Sequence, residues 1–386
     1  MALVHELEDW LWHDLPERLD ASGPPWYLVL GLPVAGALVV IAARALLPGD
    51  GGHEPLEGLG MGATPVAYAP GIALAALGSL AFGAVLGPEA PLIALGSAAA
   101  LAAASRARLG ERERAVVSTA GSFSAISALF GGPIVAGMLL LESGVGLGAA
   151  IVPTLVPGLV AAAIGYLVFV GLGDWGGLDA TALSVPGLPV YDGAHVADLL
   201  LAVGVGVAAA LLVAVVRRFA TGLAGRGRVR LGMPVLLLGG GLTVGALALA
   251  ADALGADTQD VLFSGQASIP ALVEEGSAKI VLVLVVAKAL AYAVCLGCGF
   301  RGGPVFPAIF LGIGLAVLGV IAFDVSPTLA VAVGTAAGTV AATGLLFASV
   351  LFAAVLVGTA GLDAIPAAAL AAVAAWLTRA AVVERA

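Results

Sequence analysis

The sequence predicts an all-α integral membrane protein built from two inverted-topology repeats, with some helices broken and re-entrant. Three observations predict it. Of 386 residues, 61% are hydrophobic and only 11% charged, against about 25% charged in ordinary soluble domains. The stretch Gly87–Gly96 returns 216 positions later as Gly303–Gly312 with six of ten positions identical. Two of the six are prolines, Pro88/Pro304 and Pro91/Pro307, in a chain that has only 21. At an offset of 217, Ala120-Gly121-Ser122 and Leu129-Phe130 are echoed by Ala337-Gly338-Thr339 and Leu346-Phe347. Half-chain self-similarity in an apolar chain marks a transporter made of two repeats. Finally, several apolar runs fall short of the roughly 20 residues a spanning helix needs. Gly and Pro interrupt them, which a membrane tolerates only where protein or a water-filled cavity satisfies the freed backbone.

In chain order, residues 1–25 form an amphipathic segment. They are acidic (Glu6, Glu8, Asp9, Asp14, Glu17, Asp20) and lack the basic start of a secretory signal. Leu3, Leu7, Trp10, Leu11 and Leu15 follow helical spacing, which predicts a short helix lying at the membrane surface. Residues 26–172 make the first membrane repeat, with apolar runs Trp26–Leu47, Pro65–Leu86 and Ala149–Leu172. Residues 173–195 make an extracytoplasmic loop that carries Asp174, Asp179 and Asp192 but no Lys or Arg. Residues 196–386 make the second repeat, with runs Val196–Val216, Pro234–Ala251, Ile280–Leu296, Pro304–Phe323 and Ile365–Leu377. An odd number of crossings per repeat inverts the second.

Basic residues concentrate in Arg106–Arg114, in Arg217–Arg230 and at Arg379 and Arg385. The positive-inside rule therefore places two basic loops and the C-terminus in the cytoplasm and the acidic loop outside. That is the pattern of a multi-pass protein of the cytoplasmic membrane, in contact with lipid. A net charge of −9 argues against a nucleic-acid partner.

Each copy of the repeated motif runs from glycines through Pro into an apolar stretch. Pro is favoured at the first helical position. Two helix N-termini would then end at matching depths, each with about half a positive charge and unpaired N–H groups. Facing each other, they make an anion site without a buried Lys or Arg. Glu89 opens the first of these helices and is the only charged residue between Glu57 and Arg106. A carboxylate can simply decorate a helix N-terminus. At membrane depth it marks an ion or proton pathway. Its expected role is a gate: when ionised it competes for the anion's place, and it swings away or protonates when an anion passes.

The chain resembles the CLC family of chloride channels and proton-coupled chloride exchangers over roughly residues 26 to 380. Gly87-Pro88-Glu89-Ala90-Pro91 is similar to that family's Gly-Lys/Arg-Glu-Gly-Pro, whose glutamate is the gate. Gly297-Cys298-Gly299-Phe300-Arg301-Gly302-Gly303-Pro304-Val305-Phe306-Pro307 is similar to its Gly-Ser-Gly…Gly-Gly-x-Phe-x-Pro. Asp50-Gly51-Gly52-His53-Glu54-Pro55-Leu56-Glu57-Gly58 is a weaker counterpart of Gly-Ser-Gly-Ile-Pro-Glu. The resemblance implies a homodimer with one anion pathway per subunit, gated by Glu89. It also implies anion contacts at Gly51, Gly52, Gly87, Ala90, Val305 and Phe306.

The departures are specific. Gly51 stands where the family places a serine hydroxyl, and Pro88 replaces the basic residue before the gate. No tyrosine follows Tyr292, although the family contacts its anion with one from a last helix, and the first repeat lacks an opening helix. Fewer hydroxyl and amide donors should weaken the preference for chloride; and since some members of the family with altered serine and tyrosine positions prefer fluoride, the resemblance implies a fluoride exporter of the same fold as the alternative. Exchangers of the family carry a second glutamate that delivers protons. Glu142 is the candidate here, or else it simply ends a membrane helix at the interface.

Lys288, alone in its apolar run, either raises the potential along the pathway or snorkels to an interface. Arg301 is placed to sit in a vestibule. Cys295 and Cys298 read as packing residues, since no second pair or nearby His accompanies them. His5, His13, His53 and His195 lack ligand spacing, so neither metal nor cofactor is expected. A membrane enzyme using Glu89 and His53 as acid and base lacks the surrounding polar cluster that catalysis needs. Against a scaffold that conducts nothing stand the retained Glu89 and both motif prolines.

Overall fold

The computed structural model describes residues 2–21, 23–60, 62–144, 151–172, 176 and 183–383, and every named regular element among them is helical. In order they are α1 (Ala2–Asp9), α2 (Leu15–Arg18), α3 (Trp26–Leu46), α4 (Ala69–Leu80), α5 (Glu89–Ala103) and α6 (Glu111–Leu129). Then come α7 (Pro133–Ser143), α8 (Val152–Val170), α9 (Val196–Leu231), α10 (Met233–Asp252), α11 (Thr258–Val261) and α12 (Ile269–Glu274). The chain closes with α13 (Ala278–Cys298), α14 (Val305–Phe323), α15 (Pro327–Thr343), α16 (Phe347–Val357) and α17 (Ile365–Val383). Seven described helical segments are long and apolar enough to cross a membrane, which makes this a multi-pass membrane protein. At 1.5 Å per residue, α4, α5, α7 and α16 are only about 17–23 Å long, less than a bilayer core of about 30 Å. These are the broken helices: α4 ends at Leu80, α5 starts at Glu89 and α16 ends at Val357, all three buried inside the protein.

The core is built from α13, α14 and α15, most of whose residues are buried. Glycines bring the backbones together at equivalent places in the two halves. A Cβ on Gly96 of α5 would sit 2.5 Å from the Gly121 carbonyl of α6. Likewise a Cβ on Gly312 of α14 would strike the Gly334 carbonyl of α15, and one on Gly338 would strike the Ala308 carbonyl of α14. Small residues at membrane helix contacts permit this approach. The sequence echoes at offsets 216 and 217 therefore mark two copies of one helix pair, α5–α6 and α14–α15.

Three sequence expectations change. The run Val196–Val216 continues without a break to Leu231, so Arg217–Arg230 is not a loop but the last turns of α9. Thirty-six helical residues reach about 54 Å, so the basic end projects beyond a bilayer core. Second, α6 and α15 do not figure among the expected apolar runs: α6 opens with Glu111-Arg112-Glu113-Arg114, and α15 is mostly Ala, Gly, Thr and Val.

Third, the N-terminal helical stretch, unbroken from Ala2 to Arg18, does not keep one apolar face. A π-turn over Trp10–Asp14 separates α1 from α2, and its wider i→i+5 spacing shifts the helical phase. Leu3 and Trp10, expected on the apolar face, are exposed, whereas Trp12 is buried. Its indole donates to the Ala81 carbonyl at 3.0 Å and packs edge-on against Phe263. The segment docks on the protein through this anchor.

Charge divides the two ends of the bundle. Arg44, Arg217 and Arg228 meet around residues 50–57, through Arg44–Asp50, Arg217–Leu56 and Arg228–Glu54, and Arg379 packs against Gly344. At the opposite end, Tyr191 N–H donates to the Ala360 carbonyl at 2.9 Å and the Thr328 hydroxyl to the Pro189 carbonyl. Asp174 and Asp179 of the expected acidic loop, and Arg385, lie outside the described residues.

Candidate anion site between two helix ends

The centre of the molecule is an antiparallel bridge between Gly87 and Gly303. Gly87 N–H donates to the Gly303 carbonyl at 2.8 Å, and Gly303 N–H returns the bond to Gly87. From this crossing the chain enters α5 on one side and α14 on the other. Pro88 and Pro304 have the same backbone geometry (φ −83°, ψ −1°; φ −91°, ψ −4°) and are N-caps, not first helical residues. Instead, Pro91 and Pro307 occupy the third helical position, where an N–H would have no intrahelical partner in any case. That leaves Glu89 and Ala90 as first-turn N–H bearers in α5, and Val305 and Phe306 in α14.

Glu89 joins the two ends. Its Oε1 accepts from Val305 N–H at 2.7 Å and from Phe306 N–H at 3.0 Å. The side chain is fully buried, and Oε2 has no hydrogen-bond partner. Oε2 lies over Gly87 and Gly303, where a Cβ on either would collide with the carboxylate. The acid of the first helix end therefore fills the donor cradle of the second. A carboxylate held this way gains both charge-assisted hydrogen bonds and the helix dipole.

The loop entering α14 is clamped on all sides. Tyr292 hydroxyl donates to the Pro304 carbonyl at 2.8 Å, Arg301 N–H to Ser79 Oγ at 2.9 Å, and Arg44 Nη1 to the Gly299 carbonyl at 3.2 Å. Sequence reasoning missed Ser79 and the positioning part of Tyr292. A lone tyrosine within the run Ile280–Leu296 was the available signal.

Beside Val305 lies a small cavity of about 10 Å³, lined by Phe130, Thr339, Thr343, Leu345 and Phe352 among others. Phe130, Phe306 and Phe352 pack together, with centroids 4.7–6.0 Å apart. Both threonine hydroxyls donate to carbonyls of their own helix, at 2.7 Å each. The lining therefore offers an ion methyl groups and ring edges, not hydroxyl donors.

The other expected contacts are placed differently. Gly87 and Gly52 cannot donate N–H to an anion, because the Gly303 and Gly49 carbonyls already accept from them. Gly51 sits against Ala75, Arg44 and Arg301, not against Glu89. His53 faces Glu57, with Nδ1 3.6 Å from its carboxylate, so it forms no pair with Glu89. Glu142 accepts from the N–H groups of Leu346, Phe347 and Ala348, which cap the start of α16.

Lys288 does not snorkel. Fully buried, its Nζ donates to the carbonyls of Asp260, Val261 and Leu262 and lies 4.4 Å from the Phe310 ring centroid. All three ammonium donors are thereby used at the end of α11. Cys295 and Cys298 are free and buried, and Cys295 Sγ accepts from Val85 N–H at 3.2 Å.

A membrane-embedded bundle with two helix starts meeting at a glycine bridge, one donor cradle filled by a buried acid, defines a transport protein of the inverted-repeat class. The sequence profile described as "Voltage gated chloride channel" matches residues 31–379. The chain belongs to that family.

Proteins named "Putative ion-transport protein YfeO" from Escherichia fergusonii and Escherichia coli are 29% identical over 339 residues, covering 82% of this chain and 74% of theirs. Three solved structures share the fold over 98% of this chain. A slow cyanobacterial Cl⁻/H⁺ antiporter matches with TM-score 0.79 and 14% identity over 89% of its own chain. A CLC-type fluoride/proton antiporter gives 0.69 and 20% over 91%. A eukaryotic CLC transporter gives 0.69 and 16% over 67%.

Proposed function

We propose that the protein carries a small monovalent anion of the chloride type across the membrane, as a channel or as a proton-coupled exchanger. One observation carries the reading: Glu89 Oε1 rests on the two free N–H groups that open α14. An anion that displaces the carboxylate inherits those donors, and protonation of Glu89 removes the charge that holds it there. Glu89 is the gate, Val305 and Phe306 are the anion donors, and Ala90 contributes the matching N–H of α5. Gly87 serves by lacking a Cβ. Such a site performs no covalent chemistry, so the protein is a transporter and not an enzyme.

Fluoride is the second reading. It is supported by the fold shared with a fluoride/proton antiporter and by an approach that offers ring edges and methyls in place of hydroxyls. Protons are the candidate counter-substrate, with Glu142 as their second carrier. Its three N–H bonds favour the plainer role of anchoring α16.

The repeats divide at 26–172 and 196–386 around an extracytoplasmic segment 173–195. The arginine-bearing end faces the cytoplasm, and the membrane is the cell membrane. The chain pairs with a second copy through α8, which is only 11% buried, and Ile134 of α7, and lipid covers the remaining apolar surface. Anion efflux from liposomes, native against Glu89→Gln, tests the reading: no flux above empty liposomes from either protein would overturn it.

A further inference from the structure

Ala81, Gly83, Val85 and Gly87 alternate along the loop that leads from α4 to Glu89, and each is tied to a different part of the chain. The Ala81 carbonyl accepts from the Trp12 indole at 3.0 Å, and the Gly83 carbonyl accepts from Phe263 N–H at 3.4 Å. Val85 N–H donates to Cys295 Sγ at 3.2 Å, and Gly87 exchanges two bonds with Gly303. Apart from half-buried Phe82, every residue from 81 to 88 is buried. These four anchors fix the course of the loop that delivers the gate.

Three of the anchors, Phe263, Cys295 and Gly303, belong to the stretch from α11 to α14. That stretch is bound to itself, since Lys288 of α13 holds the carbonyls of residues 260–262 and the Phe310 ring of α14 packs on its Nζ. Trp12 stands apart. Among the described residues its indole makes the only hydrogen bond between residues 2–21 and the rest of the protein. The ring is nevertheless buried, lies 5.3 Å from the Phe263 ring, and would be 3.0 Å from a Cβ on Gly83. Phe263 itself holds φ +58°, a strained left-handed conformation for an aromatic residue. Such a conformation persists only where its surroundings impose it, and Trp12 is part of those surroundings.

We propose that Trp12 is a positioning residue for the gate: the N-terminal segment clamps the loop 81–88 and so holds Glu89 on Val305 and Phe306. Glu89 Oε2 rests over Gly87 and Gly303, so its seat needs both glycines in register. With Trp12 withdrawn, the Ala81 carbonyl loses its donor and the loop gains conformations in which Gly87 leaves that register. The carboxylate then quits the donors of α14 more often, and an anion takes them. This inference rests on the reading that Glu89 gates anion flux.

The test measures chloride efflux from liposomes at neutral pH for Trp12→Ala in two backgrounds. In the otherwise native protein, flux rises about fivefold, the factor that one lost neutral hydrogen bond is worth. In Glu89→Gln, which has no carboxylate to hold in its seat, the same change leaves flux where it was. A merely structural Trp12 would lower flux in both backgrounds. Equal effects in the two, or no rise in the native background, overturn the proposal. Phe263→Gly removes the facing ring, relieves the positive φ and should reproduce the rise if Trp12→Ala does not fold. Hydrogen exchange supplies a readout that needs no transport. Amides of residues 81–88 exchange faster in Trp12→Ala while those of α15 keep their protection, and unchanged exchange in the loop overturns the clamp. Absence of flux from both native and Glu89→Gln proteins counts against the central reading, and exchange then still decides the clamp.

Discussion

Oε1 of Glu89 lies 2.7 Å from the backbone nitrogen of Val305, across 216 residues of chain. The contact joins the start of one repeated helix to the start of its counterpart. It means that the acid and its competitor ion want the same two N–H groups, so occupancy by one excludes the other.

Replacing Glu89 by Gln therefore frees the cradle. Charge-assisted hydrogen bonds contribute about 1.5–3 kcal/mol each against about 1 kcal/mol for neutral ones. The swap should thus favour the anion by roughly tenfold or more. Anion flux in liposomes persists or rises, and its dependence on pH between 4 and 8 flattens. An unchanged pH profile removes Glu89 from the gate.

Gly87→Ala reaches the same end by steric means. The three atoms nearest the new methyl all belong to the carboxyl end of Glu89, a flexible tip that can swing away. Flux at neutral pH rises severalfold and the protein stays folded, as read by a single symmetric peak in size exclusion. If flux instead falls while folding is intact, the carboxylate does not obstruct the path.

Gly338→Ala separates a structural glycine from a functional one. Here the methyl meets the Ala308 carbonyl and Ile309 Cα of α14, which cannot yield without moving a helix. Overpacking of this kind costs about 1–3 kcal/mol. Thermal unfolding in detergent should drop by several degrees, and Gly121→Ala should do the same in the other half.

Lys288→Met leaves three carbonyls at residues 260–262 without their donor. Each unsatisfied group costs about 1–3 kcal/mol, so the variant unfolds at markedly lower temperature. Its anion selectivity at permissive temperature matches the native protein, because Nζ points at α11 and not at Glu89. A change in selectivity with unchanged stability contradicts that placement.

Trp12→Ala removes a buried indole and its bond to Ala81. Large-to-small changes at buried Trp cost about 3–5 kcal/mol, enough to release the docked N-terminal segment. Limited proteolysis should then clip residues 2–21 several times faster, while residues 26–383 resist.

The internal repeat was legible because two constraints wrote it in rare letters. Pro91 and Pro307 each occupy a helix position that needs no N–H, and Gly96 and Gly312 each sit where a backbone approaches. Glu89 was legible as a lone charge in an apolar stretch. Other features were not. Gly52 and Gly87 look like amide donors in sequence, yet carbonyls three and 216 residues away already accept from them. Lys288 could not be placed because its partners are backbone oxygens, which no sequence displays. The end of α9 was misread since hydropathy stops at Val216 while helix formation does not. Arginine is a good helix former wherever water can reach it.

Trp12 anchors its segment beside Ala81 and Gly83, while α3 runs from Trp26 toward Arg44 at the basic end. The acidic segment, docked beside Ala81 and Gly83, thus lies at the end of the bundle away from those arginines. Carboxylates hinder the passage of such a segment across a bilayer little, whereas clustered lysines would hinder it much. Arg18 is its only strongly basic residue. A label fused to this segment would therefore report from the side of the bilayer opposite Arg44.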